Sequence, residues 1–286
     1  MAANIKILLR LYRQYAKMDL LWSLRDMKYC LLQVLSDTVC ALCAVAGVLL
    51  LSEKFGGFGG MSQPELLFML GFSTVADGIY LIFFIGNNTG MISRIIGRGQ
   101  LDHVMIQPVP LWTQLLAQGF SPFSGGSMFL CGLALTVYAV SRLPLSVTAA
   151  WTAVFLLYAA CSALLVQGFI TLLSCSAFYA PAAAEEIARV GKDLFTSLKV
   201  YPLGTVSHGI RRIFLTLLPV GMTAWFPASL LIKAGTDGFQ LSMLLPGLCL
   251  PAVTLILLLT AACLFKKGMK YYACNGSPRY SGFGHR

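Results

Sequence analysis

Two carboxylates, Asp37 and Asp77, stand inside strongly apolar stretches of the chain. An acid held in hydrocarbon is costly enough to mark a proton relay, a cation path or a binding site. At a rise of about 1.5 Å per residue, Asp37 lies about 12 Å from the start of its stretch near Tyr29. On the same rise, Asp77 lies about 13 to 14 Å from the end of its stretch near Gly86. Similar depths leave two readings open. If the stretches are neighbours, both acids face one aqueous cavity, or share a proton at close range. Otherwise each bonds hydroxyls inside the bundle, with Ser36, Thr38, Ser73 and Thr74 close by in sequence. Other chemistry finds little material. His103, His208 and His285 are too scattered for an acid-base or zinc constellation. Gly191-Lys192-Asp193 lacks the upstream glycine and the Ser or Thr of a phosphate-binding loop. The nine cysteines sit almost entirely in apolar stretches without converging His or carboxylate ligands, and read as small apolar residues. The expectation is a chain that is no enzyme and holds no cofactor of its own.

The elements that must position these acids are membrane helices. The chain is 57% hydrophobic and 11% charged, which excludes a soluble globular domain. Crossing the hydrocarbon takes about 20 apolar residues. Six stretches qualify, at about 29 to 51, 66 to 86, 111 to 140, 145 to 178, 207 to 232 and 243 to 265. The expected fold is therefore all-α, with six transmembrane helices over 29–265. Lys54, Arg142 and Lys233 fall on one side and every other basic residue on the other, so both termini are expected in the cytoplasm. The net charge of +10 then finds its partner in anionic lipid, with no nucleic acid needed. Asn87-Asn88-Thr89 and Asn275-Gly276-Ser277 match the glycosylation pattern but fall on the cytoplasmic side, where they stay silent.

Local signals refine the elements. Ile5, Leu8, Leu9 and Tyr12 form one stripe and Lys6, Arg10, Arg13 and Lys17 another, which predicts an amphipathic helix in the interface over 1–28. A signal peptide fits poorly, because no apolar core follows the charges. Ser62-Gln63-Pro64-Glu65 has capping-box spacing and starts the second span. Gly119, Pro122, Gly125 and Gly126 bend the third stretch, and Pro202, Pro219, Gly221 and Pro227 break the fifth. Glu185, Glu186, Arg189, Lys192 and Asp193 predict a charged cytoplasmic helix between the fourth and fifth. Residues 266–286 form a cytoplasmic tail. No internal repeat is visible, which weighs against a transporter built from repeated halves.

Between the second and third stretches lies a polar island, Met91 to Trp112. Ile92, Ile95 and Ile96, then Leu101, Val104 and Met105, recur at helical spacing, opposite Arg94, Arg98, Asp102 and His103. Two short amphipathic helices fit, punctuated by Gly97 and Gly99 and ended by Pro108.

These features together resemble a bacterial ABC transporter permease of the type-2 exporter class. The resemblance rests on the six spans, the basic N-terminal helix, the run Gly99-Gln100-Leu101-Asp102-His103-Val104-Met105-Ile106-Gln107-Pro108, and Tyr201-Pro202 followed by Pro219 and Pro227. The chain departs from the pattern at Met105-Ile106-Gln107, where a basic residue is expected before the proline. The resemblance implies a cytoplasmic or inner bacterial membrane location, two cytoplasmic ATPase subunits that bind ATP and Mg, and a second permease, identical or related. It also makes the loop at 88–110 the coupling helix seated in the ATPase, with Arg94, Arg98, Leu101, Asp102 and His103 as the contact. The expected function is export of an amphipathic or lipid-like substrate, with Asp37 and Asp77 as candidate pathway residues. The alternative is a proton-coupled secondary transporter that uses the two acids, and a membrane scaffold without transport is a third reading.

Overall fold

The computed structural model describes residues 2–55, 57–85, 91–216, 218–238 and 244–276. The Asn87-Asn88-Thr89 sequon, Ser277 of the second sequon, residues 88–90 of the expected coupling loop and the tail beyond Gly276 lie outside them. Apart from an isolated bridge between Phe58 and Met61, the regular structure among the described residues is helical.

The N-terminal helix α1 (Ala2–Arg25) gives way at Asp26 to α2 (Met27–Phe55). The next helix, α3 (Gln63–Phe84), starts at the predicted signal: Ser62 donates its backbone N–H to Glu65 at 2.7 Å, and Pro64 occupies the first turn. It is the hub of the bundle. Against it lies α7 (Gly126–Ser141), so close that a Cβ on Gly78 would fall 2.4 Å from the Phe129 Cα. A Cβ on Gly132 would fall 2.5 Å from the Val75 nitrogen. Such backbone approach is how helices associate where lipid removes the hydrophobic drive between them. On its other flank, Phe68 and Phe72 pack with Trp151 and Phe155 of α8 (Ala149–Ser174). The Trp151 indole donates to the Leu231 carbonyl at 2.9 Å, joining α8 to α11 (Trp225–Thr236). The last long helix, α13 (Cys249–Asn275), also packs on α8, where the Thr254 hydroxyl donates to the Cys161 carbonyl.

Among the described residues, four helical stretches are long and apolar enough to cross a membrane: Met27–Lys54, Gln63–Phe84, Ala149–Phe178 and Leu245–Asn275. A fifth candidate is a bent pair, α10 (His208–Thr216) and the stretch Pro219–Thr236, with 71° between them. This is the break foreseen at the prolines. The third predicted stretch is also interrupted, into α6 (Leu111–Gln118) and the 16-residue α7. Irregular backbone inside a membrane must find its hydrogen bonds within the protein. Here Asp19 of α1 supplies them, accepting from the N–H groups of Phe123 at 2.7 Å and Ser124 at 3.1 Å.

The charged segment after α8 is helical, as its charge pairs predict, and its packing is what the sequence did not show. It forms α9 (Pro181–Leu198), which turns back along α8, with Phe195 against Phe169 at 5.1 Å and Leu173 over Gly191. Its first turns meet Arg94, beyond the C-terminal end of α3, through Glu185. Just past its last turn, Tyr201 meets Phe58, ahead of the N-terminal end of α3. Helix and extension therefore connect the two ends of the hub. Lys199, grouped by sequence with the cytoplasmic loops, is buried against Asp77. Arg211 donates to the carbonyls of Gly204 at 2.5 Å and Val206 at 3.1 Å, and Gly204 abuts Gly59 in the loop between α2 and α3. The charge pattern of a solvated face is also the pattern of an amphipathic helix that buries Ala184, Ala188 and Phe195.

Candidate functional site

The island between α3 and α6 folds into two short helices, α4 (Ile92–Gly97) and α5 (Gln100–Met105). The corner between them is Gly99, at φ 67°, a left-handed conformation that glycine adopts without steric cost. The α5 helix ends as Ile106 donates to Asp102 at 3.2 Å, and Pro108 and Pro110 then carry the chain into α6.

The inner face is apolar and closed. Ile92, Ile95, Ile96, Leu101 and Val104 are buried with Leu115 of α6, Phe178 of the turn after α8, Ala184 of α9, and Phe265 and Tyr272 of α13. Burying a side chain of this size stabilises by about 1.5 to 3 kcal/mol relative to exposure. Polar tethers fix the orientation. Arg94 donates from Nε to the Glu185 carboxylate at 2.7 Å, with the Arg98 guanidinium 3.8 Å from the same oxygen. The Tyr272 hydroxyl donates to Asp102 at 2.5 Å. The α4–α5 pair is thereby tied to the turn after α8, to α9 and to α13.

The outer face is open. Arg98 is half exposed, and His103, Met105, Gln107 and Pro108 are exposed. Ile106 is 80% exposed at the tip, the most of any large hydrophobic side chain among the described residues. The five residues expected at a partner contact thus divide. His103 faces outward, Arg98 is half exposed yet still reaches Glu185, and Arg94, Leu101 and Asp102 hold the hairpin to its own chain. Met105 and Ile106, which were not among those five, are exposed on the outer face. Glu185 and Tyr272 carried no local signal for their roles.

The two acids have separate partners. Asp37 accepts from the Gln33 amide at 2.9 Å and from the Ser127 hydroxyl of α7 at 2.7 Å. It faces a cavity between α1, α2 and the α6–α7 break that Asp77 does not line. Asp77 accepts from the Lys199 ammonium, whose side chain is 6% exposed. Of the two readings left open, the hydroxyl reading fits Asp37, with a partner distant in sequence. For Asp77 the partner is a cation that neither reading named.

Among the described residues, no group of three or more His, Cys, Asp or Glu side chains converges as a metal site. Comparison with curated proteins and with solved structures returned no match. Comparison with family models matched residues 39–276 to one described as "ABC-2 family transporter protein", a range from the middle of α2 to the end of α13. With most of its length matched, including the hub, the α4–α5 hairpin and α9, the chain belongs to the ABC-2 transporter family.

Proposed function

We propose that this chain is the permease subunit of an ATP-driven exporter and that the α4–α5 hairpin is where a separate cytoplasmic ATPase pushes on it. The observation that carries the proposal is the two-faced hairpin. Its inner face is closed against three longer elements, and its outer face ends in an exposed Ile106 beside Arg98 and His103. An exposed apolar tip with flanking basic groups fits a groove on a partner protein. ATP and Mg are bound by that partner, and this chain contributes the path. Six crossings follow if α2, α3, α6 with α7, α8, α9 and α13 each traverse the bilayer, with α10 and α11 re-entering from the far side. An even count leaves both termini on one side, and the basic arm and tail support reading that side as the cytoplasmic face of a bacterial inner membrane. A second permease copy, or a related one, covers the exposed flank of α2, and the cargo is amphipathic or lipid-like.

Ile106→Asp tests the proposal. Purified from its native membrane, the wild-type chain should retain an ATPase subunit, and the variant should lose it while unfolding at the same temperature. Full retention of the ATPase by a folded variant would refute the contact. A proton-coupled carrier is the rival reading, favoured by the buried pairing of Asp77 with Lys199. Uptake by the isolated chain, driven by a pH gradient without ATP, would replace the exporter with it.

A further inference from the structure

We propose that the cavity between α1, α2 and the α6–α7 break is a binding site for an amphiphile with an ammonium head. The inference rests on the membrane reading of the chain and not on its ATPase partner. The cavity measures about 860 Å³ and lies where the interfacial helix meets the first long apolar one. Its size suits a headgroup with the upper part of an apolar chain.

Two facing stripes build it. Tyr15, Asp19 and Trp22 recur at spacings of four and three on α1, and Tyr29, Gln33 and Asp37 at spacings of four on α2. Asp19 and Asp37 are held in place by neutral donors: the backbone of residues 123 and 124, the Ser124 and Ser127 hydroxyls, and the Gln33 amide. These bonds orient the carboxylates and leave their charge in place. Among the described residues, no Lys, Arg or His stands within ion-pair distance of either one. Two uncompensated negative charges beside hydrocarbon favour a cation.

The walls select which cation. Trp22 and Tyr29 meet edge to face at 5.3 Å across the gap between the two helices, and Phe120 and Phe123 close the side formed by the break. Aromatic faces attract organic ammonium groups, and a quaternary head suits them best. Calcium would take six or more converging oxygens and zinc a set of His or Cys ligands, and two separate carboxylates supply neither. An anionic headgroup is repelled from the interior and finds exposed Lys17, Arg25 and Lys28 outside it.

Binding of radiolabelled lauroylcholine to the full chain in phosphatidylglycerol nanodiscs tests this, with empty discs as the partition blank. Saturable binding should be displaced by unlabelled lauroylcholine at least about tenfold better than by 3,3-dimethylbutyl laurate, its neutral isostere. Asp37→Asn and Trp22→Leu should each weaken binding by about tenfold or more without changing the unfolding temperature. The isostere comparison uses the native chain, so it stands even if a variant fails to fold. Equal displacement by the isostere, or undiminished binding by both folded variants, overturns the proposal. Lysophosphatidylcholine as competitor identifies the source of the head. Stronger displacement by it than by lauroylcholine assigns a lipid headgroup, and weaker displacement assigns a phosphate-free cation.

Discussion

Around Asp77 the bundle closes, and around Asp37 it stays open. Both acids sit in long apolar helices, yet Asp77 meets a buried lysine carried by α9, whereas Asp37 meets an amide and a hydroxyl at the edge of a cavity. Of the two, only Asp77 meets a counter-charge among the described residues. The difference teaches that an intramembrane acid is no function in itself, and that the partner decides between a fastening and a site. At Asp77 the fastening joins α3 to α9, two of the elements that run the height of the bundle. At Asp37 the charge remains available to a molecule from outside.

Removing one half of the fastening should have the largest effect. Asp77→Asn leaves the Lys199 ammonium buried without its counter-charge, and breaking a buried pair in this way costs about 3 to 5 kcal/mol. Thermal unfolding in nanodiscs should show that loss, and Asp77→Leu combined with Lys199→Met should recover most of it. A single variant as stable as the wild type would place Asp77 in the same class as Asp37 and erase the contrast. Asp19→Ala should cost less, about 1 to 2 kcal/mol, because it strips the backbone N–H groups of Phe123 and Ser124 of their acceptor. Asp37→Asn should cost least, within about 0.5 kcal/mol, since an amide oxygen still accepts from Ser127. A loss at Asp37 as large as that at Asp77 would show that the open side is structural too.

Much of this architecture was legible from local pattern. Ser62 to Glu65 marked the start of α3, the glycines and prolines at 119 to 126 and 219 to 227 marked real interruptions, and the isoleucine stripe of the island found its core. Within the island, sequence could separate polar from apolar positions but not inward from outward charge, so Arg94 and Asp102 looked like contact residues. Their partners explain why. Glu185 and Tyr272 lie 91 and 170 positions from the residues they hold, and no local period encodes such a distance. The same limit hid where α9 packs. A helix with charges on one face reads as solvated, and the tertiary contacts of Phe195, Lys199 and Tyr201 are what carry it along the bundle.

The central claim is that the hairpin tip meets an ATPase, and photo-crosslinking tests it most directly. Two side chains serve as matched probes, Ile106 at the tip of the hairpin and Leu245 in α12 (Leu244–Gly247), at 80% and 78% exposure. A photoreactive residue replacing Ile106 in the full-length chain, irradiated in its native membrane, should form an adduct with a nucleotide-binding subunit. The same residue replacing Leu245 should not. An ATPase adduct from position 245, or lipid adducts alone from position 106, would contradict the account.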